Sequence, residues 1–197
     1  LEKLPPGLRS RLAAHAWVSD GLDVGQLLPA IEDLGRRMGR LDRLVGTLEE
    51  LQVPLGQLRD TLGLPGLGGE AAHNFRDKAR MKTVLAQHGL PCARHGLAQS
   101  AEQVQSLARE IGFPLVIKPP AGAGARSTFR VDDEVQLGAV LQARQPSADR
   151  PALLEEFLTG REYSYDSVII DGQMRWASIC HYFPSPLEVL ENAWIQW

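Results

Sequence analysis

Pro114-Leu-Val-Ile-Lys118-Pro-Pro-Ala-Gly122-Ala-Gly124-Ala-Arg126-Ser-Thr128 places an apolar run, a lysine and a small-residue loop in direct succession. Leu115, Val116 and Ile117 are aliphatic or β-branched and read as a buried strand. Lys118 shares strand parity with Val116, so its stem leaves from a mostly apolar face. An unpaired ammonium in such a place is costly, and the position therefore calls for an anion. After it, Ala121, Gly122, Ala123, Gly124 and Ala125 carry almost no side chain. A backbone of that kind can approach a ligand closely and turn its N–H groups into an anion-binding nest. A cation beside an amide cradle suits a polyphosphate.

Composition narrows the field. The chain has 197 residues, 44% hydrophobic and 23% charged, as expected of a soluble globular chain of one or two domains. A net charge of -3 and a pI near 6.0 argue against a nucleic-acid binder, which would be basic. No run of about 18 apolar residues predicts a membrane span, and no signal peptide is read at the N-terminus. Cys92 and Cys180 have no metal-ligand spacing and read as reduced core residues of a cytoplasmic protein. Lysine occurs only at positions 3, 78, 82 and 118, so one of four lysines ends the apolar strand. The apolar, aromatic ending Glu191–Trp197 is expected to mark a protein lacking a C-terminal portion, and Leu1 a trimmed start.

Working toward the N-terminus, Leu27, Leu28, Ile31, Leu34 and Met38 recur at helical spacing over 26–38, with Pro29 expected in the first turn. Leu44–Leu48 reads as a short strand. Leu55, Leu58 and Leu62 then mark a helix face closed by Gly63. The Gly- and Pro-rich stretch 63–69 reads as a linker or plain loop. A helix over about 70–88 and a strand over 92–98 follow. Ser100 and Gln103 form a capping box before a helix whose stripe is Val104, Leu107, Ala108 and Ile111. Beyond the loop come a strand at 127–131, a helix capped by Asp132 or Asp133 with Val135, Leu137, Val140 and Leu141, and a strand at 152–158. A hairpin closes the series: Tyr163–Ile170, the turn Asp171-Gly172, and Met174–Phe183.

The common nucleotide signatures are missing. There is no GxxxxGK[ST], and Gly122-x-Gly124-x-x-Ser127 lacks a third glycine and leads into a strand rather than a helix. Three further features line up instead: Asp77-Lys78 on an upstream helix, Leu154-Glu155-Glu156-Phe157-Leu158 with two carboxylates in an apolar strand, and Thr159-Gly-Arg-Glu162 turning into the next strand.

In this order the residues resemble the ATP-grasp superfamily over about 75–183. The resemblance implies an α/β (α+β) architecture: a partial preceding α/β domain at 1–74, then an ATP-grasp domain at 75–197. Its lid subdomain would span about 90–157 and the start of a truncated body 158–197. It also implies site residues. Lys78 and Lys118 would hold the phosphates of ATP, and the lid loop, 120–128, would close over them. Glu155 would face the exocyclic amine of adenine, the Glu156 carbonyl and Leu158 amide would bond the ring edge around Phe157, and Glu162 would hold the ribose hydroxyls. Mg²⁺ would be bound by acidic residues of later body strands, so no metal ligand is assigned in this chain; Glu188, Glu191 and Asn192 sit too early.

Two lysines acting as point charges can neutralise a triphosphate, and a mobile small-residue loop can exclude water. Taken singly, Lys78 reads as a solvated helix residue and Lys118 as a snorkelling one; their joint order is what points to a site. Arg126 either reaches the γ-phosphate or solvates the loop. Ser127 and Thr128 either donate to phosphate or begin a strand. His181, after the hairpin, is a weak catalytic candidate. His15, His73, His88 and His95 read as surface or satisfied core residues, and Trp176, Trp194 and Trp197 as packing residues. The expected activity is that of a carboxylate–amine ligase: ATP activates a carboxylate as an acylphosphate, and an amine-type acceptor displaces phosphate. Bicarbonate activation of the biotin-carboxylase kind and a non-catalytic ATP-binding sensor are the alternatives. Homodimerisation is implied only by analogy; neither a nucleic acid nor a membrane is an expected partner.

Overall fold

A computed structural model of the chain describes residues 5–122 and 127–192. It divides into two compact units, Leu1–Val84 and Leu85–Trp197.

The first unit is helical. After a single turn, α1 (Pro6–Arg9), comes α2 (Val24–Met38). Asp23 caps α2 by accepting from the Gly25 N–H, and Gly39 closes it in the left-handed region at φ 86°. Because α2 begins at Val24, Pro29 falls in the second turn rather than the first, where its missing N–H removes a helix bond to Gly25. Ile31 of α2 meets Leu55 and Leu58 of α3 (Gln52–Leu62), ringed by Leu27, Leu28, Leu41, Leu44 and Leu62.

The expected strand at 44–48 does not form. Its backbone is served by a side chain instead: Arg59 of α3, 9% exposed, donates Nε and Nη2 to the Leu44 carbonyl at 3.0 and 2.7 Å. The Leu44 carbonyl thus finds its donors in a side chain rather than in a strand, while Val45, Thr47 and Leu48 are exposed. Arg59 Nη1 also reaches the Leu67 carbonyl, at 3.0 Å, so the 63–69 stretch is pinned rather than a free linker. A Cβ on Gly56 would lie 2.8 Å from the Gly68 carbonyl carbon, which shows how closely α3 meets the start of α4 (Gly69–Arg76). The single helix expected over 70–88 is two. Asp77, at φ −94° and ψ 111°, ends α4 and caps α5 (Lys78–Gln87), its carboxylate accepting from the Arg80 N–H at 2.9 Å.

The second unit is built on an antiparallel sheet. Its strands are β1 (His95–Ala98), β2 (Leu115–Lys118), β3 (Phe129–Val131) and β4 (Ala152–Glu156), in spatial order β1-β4-β2-β3. Two helices interrupt the strands: α6 (Ala101–Ile111) and α7 (Glu134–Ala143). Ser100 caps α6 by accepting from the Gln103 N–H, while Gln103 Oε1 accepts from Gln99 N, one residue earlier than in the standard box. For α7 the cap is Asp133, which accepts from the Gln136 N–H at 2.8 Å.

Strand parity decides what covers the sheet. Ala98, Leu115, Ile117, Val131 and Leu154 share one face and form the core with Val104, Ala108 and Ile111 of α6 and Leu137 of α7. Leu115, Val131 and Leu154 are fully buried there. The opposite face carries His95, Leu97, Val116, Lys118, Arg130, Leu153 and Glu155, as the pairing register requires.

A separate hairpin follows: β5 (Tyr163–Ile170) against β6 (Gln173–His181). Asp171 and Gly172 both have positive φ, 51° and 72°, the signature of a type I′ turn. A short helix, α8 (Pro186–Glu191), is capped by Ser185.

The mixed helix-and-sheet architecture agrees with the sequence expectation. Three packing expectations do not hold: Val135 is 83% exposed and Trp176 54%, while Cys92 is half-buried and Cys180 exposed, so neither cysteine belongs to the core. Trp194 and Trp197 lie outside the described residues.

Candidate functional site

The face of the sheet opposite α6 and α7 carries Lys118, Glu155 and Arg130. Lys118, the last residue of β2, stands opposite Leu153, and Glu155 stands opposite Val116. The two charged residues are therefore diagonal neighbours across β2 and β4, within reach of long side chains. Lys118 Nζ donates to Glu155 Oε2 at 2.7 Å, with side chains 21% and 9% exposed. The apolar strand that ends on a lysine thus folds as its parity demands, and its anion is at hand.

At the far edge of the same face, Arg130 lies over the Phe157 ring at 4.4 Å and donates to Asp132 at 2.9 Å. Glu156 points elsewhere. Its carboxylate accepts from Arg94 twice, from the backbone N–H and from Nε, both at 2.8 Å. The Glu156 N–H donates to the Arg94 carbonyl, and the Phe157 N–H to the Pro114 carbonyl. The chain leaving β4 is thereby tied to the segments before β1 and β2. Leu158 beyond it is 66% exposed.

The loop that leaves β2 passes through Pro119, Pro120, Ala121 and Gly122; Ala123, Gly124, Ala125 and Arg126 lie outside the described residues. Where the chain resumes, Ser127 sits in the left-handed region at φ 61°, rare for a residue with a Cβ. Arg144, at the C-cap of α7, donates to Ser127 Oγ at 2.7 Å and lies 5.6 Å from the Phe129 ring centre. Thr128 is half-buried and precedes β3 rather than belonging to it.

The remaining sequence candidates scatter. Lys78 heads α5 in the first unit, half-buried. Glu162 is exposed, and its carbonyl accepts from the Tyr182 N–H at 3.0 Å, closing the base of the hairpin. His181 stacks on Tyr163 at 4.7 Å and lies 6.3 Å from Phe183, an aromatic column at that same base.

Arg94, Arg130 and Arg144 escaped the sequence reading. Parity with Val116 across β3 is the one signal that could have found Arg130. Nothing local announces that Arg94 meets Glu156, 62 residues away.

A cavity of about 790 Å³ joins the loop base to the helix side: Lys118, Pro119 and Ala121 line it, together with Ile117, Phe129, Leu141 and Arg144. Glu155 and Leu158 do not line it, so a base held near them would lie elsewhere. Among the described residues no group of three or more His, Cys, Asp or Glu is placed to hold a metal ion. No helix among the described residues is long and apolar enough to cross a membrane. Away from the sheet face, the Glu102 carboxyl is held below its usual range, first by the Ser100 hydroxyl and then by its own backbone N–H.

An antiparallel sheet covered by helices on one face, with a lysine ending a central strand before a small-residue loop, defines the ATP-grasp class of fold. Residues 77–181 match the family described as carbamoyl-phosphate synthase L chain, ATP binding domain, and the chain belongs to it. The carbamoyl phosphate synthase large chain of Streptomyces coelicolor is 31% identical over 179 residues, which cover 88% of this chain and 15% of that protein. The L-arginine-specific L-amino acid ligase of Bacillus subtilis is 26% identical over 180 residues, 89% of this chain and 44% of the ligase. In fold, the chain resembles the ATP complex of carboxyaminoimidazole ribonucleotide synthase from Aspergillus clavatus, with a TM-score of 0.66 at 17% identity, covering 88% of this chain and 44% of that one. The chain thus spans less than half the length of each of these relatives.

Proposed function

We propose that this chain is the nucleotide-binding part of an ADP-forming carboxylate–amine ligase. The observation that carries the reading is Lys118, placed by an apolar strand on the sheet face opposite α6 and α7, in a family described as an ATP binding domain. Its ammonium is a compact cation suited to phosphate oxygens that shift during transfer. Lys78 would supply the second positive charge and the loop 121–128 the amide cradle, with Arg126, Ser127 and Thr128 at its end. The segment Glu155–Leu158 would meet the base and Glu162 the ribose. Under this reading the lid spans about 90–157 and the body begins at 158.

In the reaction, a substrate carboxylate oxygen attacks the γ-phosphorus and ADP leaves. The amine nitrogen then attacks the acyl carbon, phosphate departs and the nitrogen gives up a proton. The chain's contribution is orientation and charge neutralisation. An amino-acid ligase among the relatives, 26% identical, supports an amine acceptor. The ammonium of Lys118 fits a polyphosphate, while acidic residues of later body strands would hold Mg²⁺. A cytoplasmic homodimer is the assembly we infer, supported by family analogy.

The test is incubation of the full chain with ATP, Mg²⁺ and pools of amino acids, scoring ADP, phosphate and the coupled product. Release of AMP and pyrophosphate would overturn the acylphosphate route. Titration calorimetry of ATP against wild type and Lys118→Ala checks the site itself, and equal affinity would remove Lys118 from it. Light scattering of the purified chain reads the oligomeric state.

A further inference from the structure

The β1–β4 ladder ends in an exchange that a regular antiparallel pair does not make. His95 faces Glu155 in the register, so the next pair outward is Arg94 with Glu156. The Glu156 N–H donates to the Arg94 carbonyl at 2.9 Å, which makes this a hydrogen-bonded pair. In such a pair the second bond runs from the Arg94 N–H to the Glu156 carbonyl. Here that N–H goes to the Glu156 carboxylate, at 2.8 Å from Oε1, while Arg94 Nε holds Oε2 at 2.8 Å. The side chain takes the donor that its own backbone would have taken. One residue on, the Phe157 N–H turns to the Pro114 carbonyl at 3.1 Å, on the β2 side, and Arg130 lies 4.4 Å over the Phe157 ring. Alternation along an extended chain puts the Glu156 carbonyl and the Leu158 N–H on the opposite edge from the Phe157 N–H. Leu158 is 66% exposed, and its N–H finds no acceptor among the described residues.

We propose that the Glu156 carboxylate is a positioning group for base recognition: by taking the Arg94 N–H it ends the ladder, so that the Glu156 carbonyl and the Leu158 N–H read the edge of a 6-aminopurine. The inference rests on the nucleotide reading above and goes beyond it. The resemblance supplies the two backbone contacts, whereas the role of this side chain follows from the register and the diverted bond. An acceptor beside a donor matches the amine and N1 of adenine. Hypoxanthine presents a carbonyl and an N1–H at the same edge, so both contacts are mismatched. Glu156 and Arg94 act through the main chain and not by touching the ligand with their side chains. In Glu156→Gln the amide oxygen still accepts from the Arg94 N–H. In Glu156→Ala that N–H returns to the carbonyl and the ladder closes by one bond, while the phosphate end is untouched.

The experiment is calorimetric titration of ATP and inosine triphosphate into the full chain, with wild type, Glu156→Gln, Glu156→Ala and Lys118→Ala. Wild type is expected to prefer ATP by roughly 10-fold or more, since a site built to pair polar groups rejects the analogue that leaves them unpaired. Glu156→Ala is expected to lower that preference roughly 3- to 10-fold, the range for one hydrogen bond, chiefly by weakening ATP. Glu156→Gln should keep it to within about twofold. A merely structural role for the Arg94–Glu156 contact weakens both nucleotides alike and leaves the ratio unmoved, and that result overturns the inference. So does a wild type that binds the two triphosphates equally, a measurement that needs no variant. Should Glu156→Ala not fold, Glu156→Met, which keeps the stem and removes the carboxylate, is read in its place with the same expectation. The nucleotide reading fails separately, and visibly, if Lys118→Ala binds ATP like wild type.

Discussion

The second unit contains two antiparallel assemblies that differ in what their side chains face. In the four-stranded sheet, Leu115, Val131, Leu153 and Leu154 have no measurable exposure. In the β5–β6 hairpin, Tyr165, Ile169, Ile170, Met174, Trp176 and Ile179 are all more than half exposed. Both are antiparallel ladders, the hairpin with one register shift between Val168 and Ile169, so backbone pairing alone does not separate them. The difference is burial: α6 and α7 cover one face of the sheet, Leu153 on the other face is buried as well, and no helix layer covers the hairpin among the described residues. A lone two-stranded ribbon is marginal in water, and its order depends on what it leans against. Stability is concentrated where helices meet strands, and the Lys118–Glu155 pair sits on the rigid partner of the two.

Substitutions can break that comparison, beginning with the largest expected loss. Leu154→Ala opens a hole beneath α6 and should cost about 2–5 kcal/mol in chemical denaturation. Asp133→Ala removes the α7 cap and should cost about 1 kcal/mol by the same measurement. Trp176→Ser, on the exposed hairpin, should change stability by less than about 0.5 kcal/mol; a loss matching that of Leu154→Ala would show that the hairpin is as well buried as the sheet. Hydrogen exchange sharpens the contrast without mutation: amides of β2 and β4 should outlast those of β5 and β6, and equal protection would erase it. The smallest effect is expected at Glu102. Its folded-state pKa is depressed, so its stabilising contribution is present above the unfolded pKa and is lost as pH falls through the folded one. Glu102→Gln should remove only that slight acid-side dependence of the melting temperature.

Much of this unit was legible in the sequence because its signals are local. Ser100 and Asp133 announce their helices, Asp171-Gly172 announces the hairpin, and the run into Lys118 announces both a strand and its charged end. What was not legible depends on residues far apart in the chain. The Lys118–Glu155 bond spans 37 positions and follows from the β2–β4 register, which the sequence of neither strand displays. The same holds for Arg94 and Glu156. The absent strand at 44–48 is instructive in the opposite sense: an apolar segment with sound β propensity lies outside any sheet, and its Leu44 carbonyl is served by an arginine of α3. Asp77 was visible but misread as part of a helix surface when its capping chemistry splits the helix in two.

The diagonal placement of Lys118 and Glu155 also bears on how the sheet chooses its alignment. Sliding β4 by a single residue along β2 would reverse the sidedness of every residue in β4. Glu155 would then enter the layer occupied by Val104, Ile111 and Leu137, a carboxylate among hydrocarbon with its lysine left behind. The misaligned sheet is penalised at one position by far more than lost packing, so the charge pair acts as a lock on strand pairing.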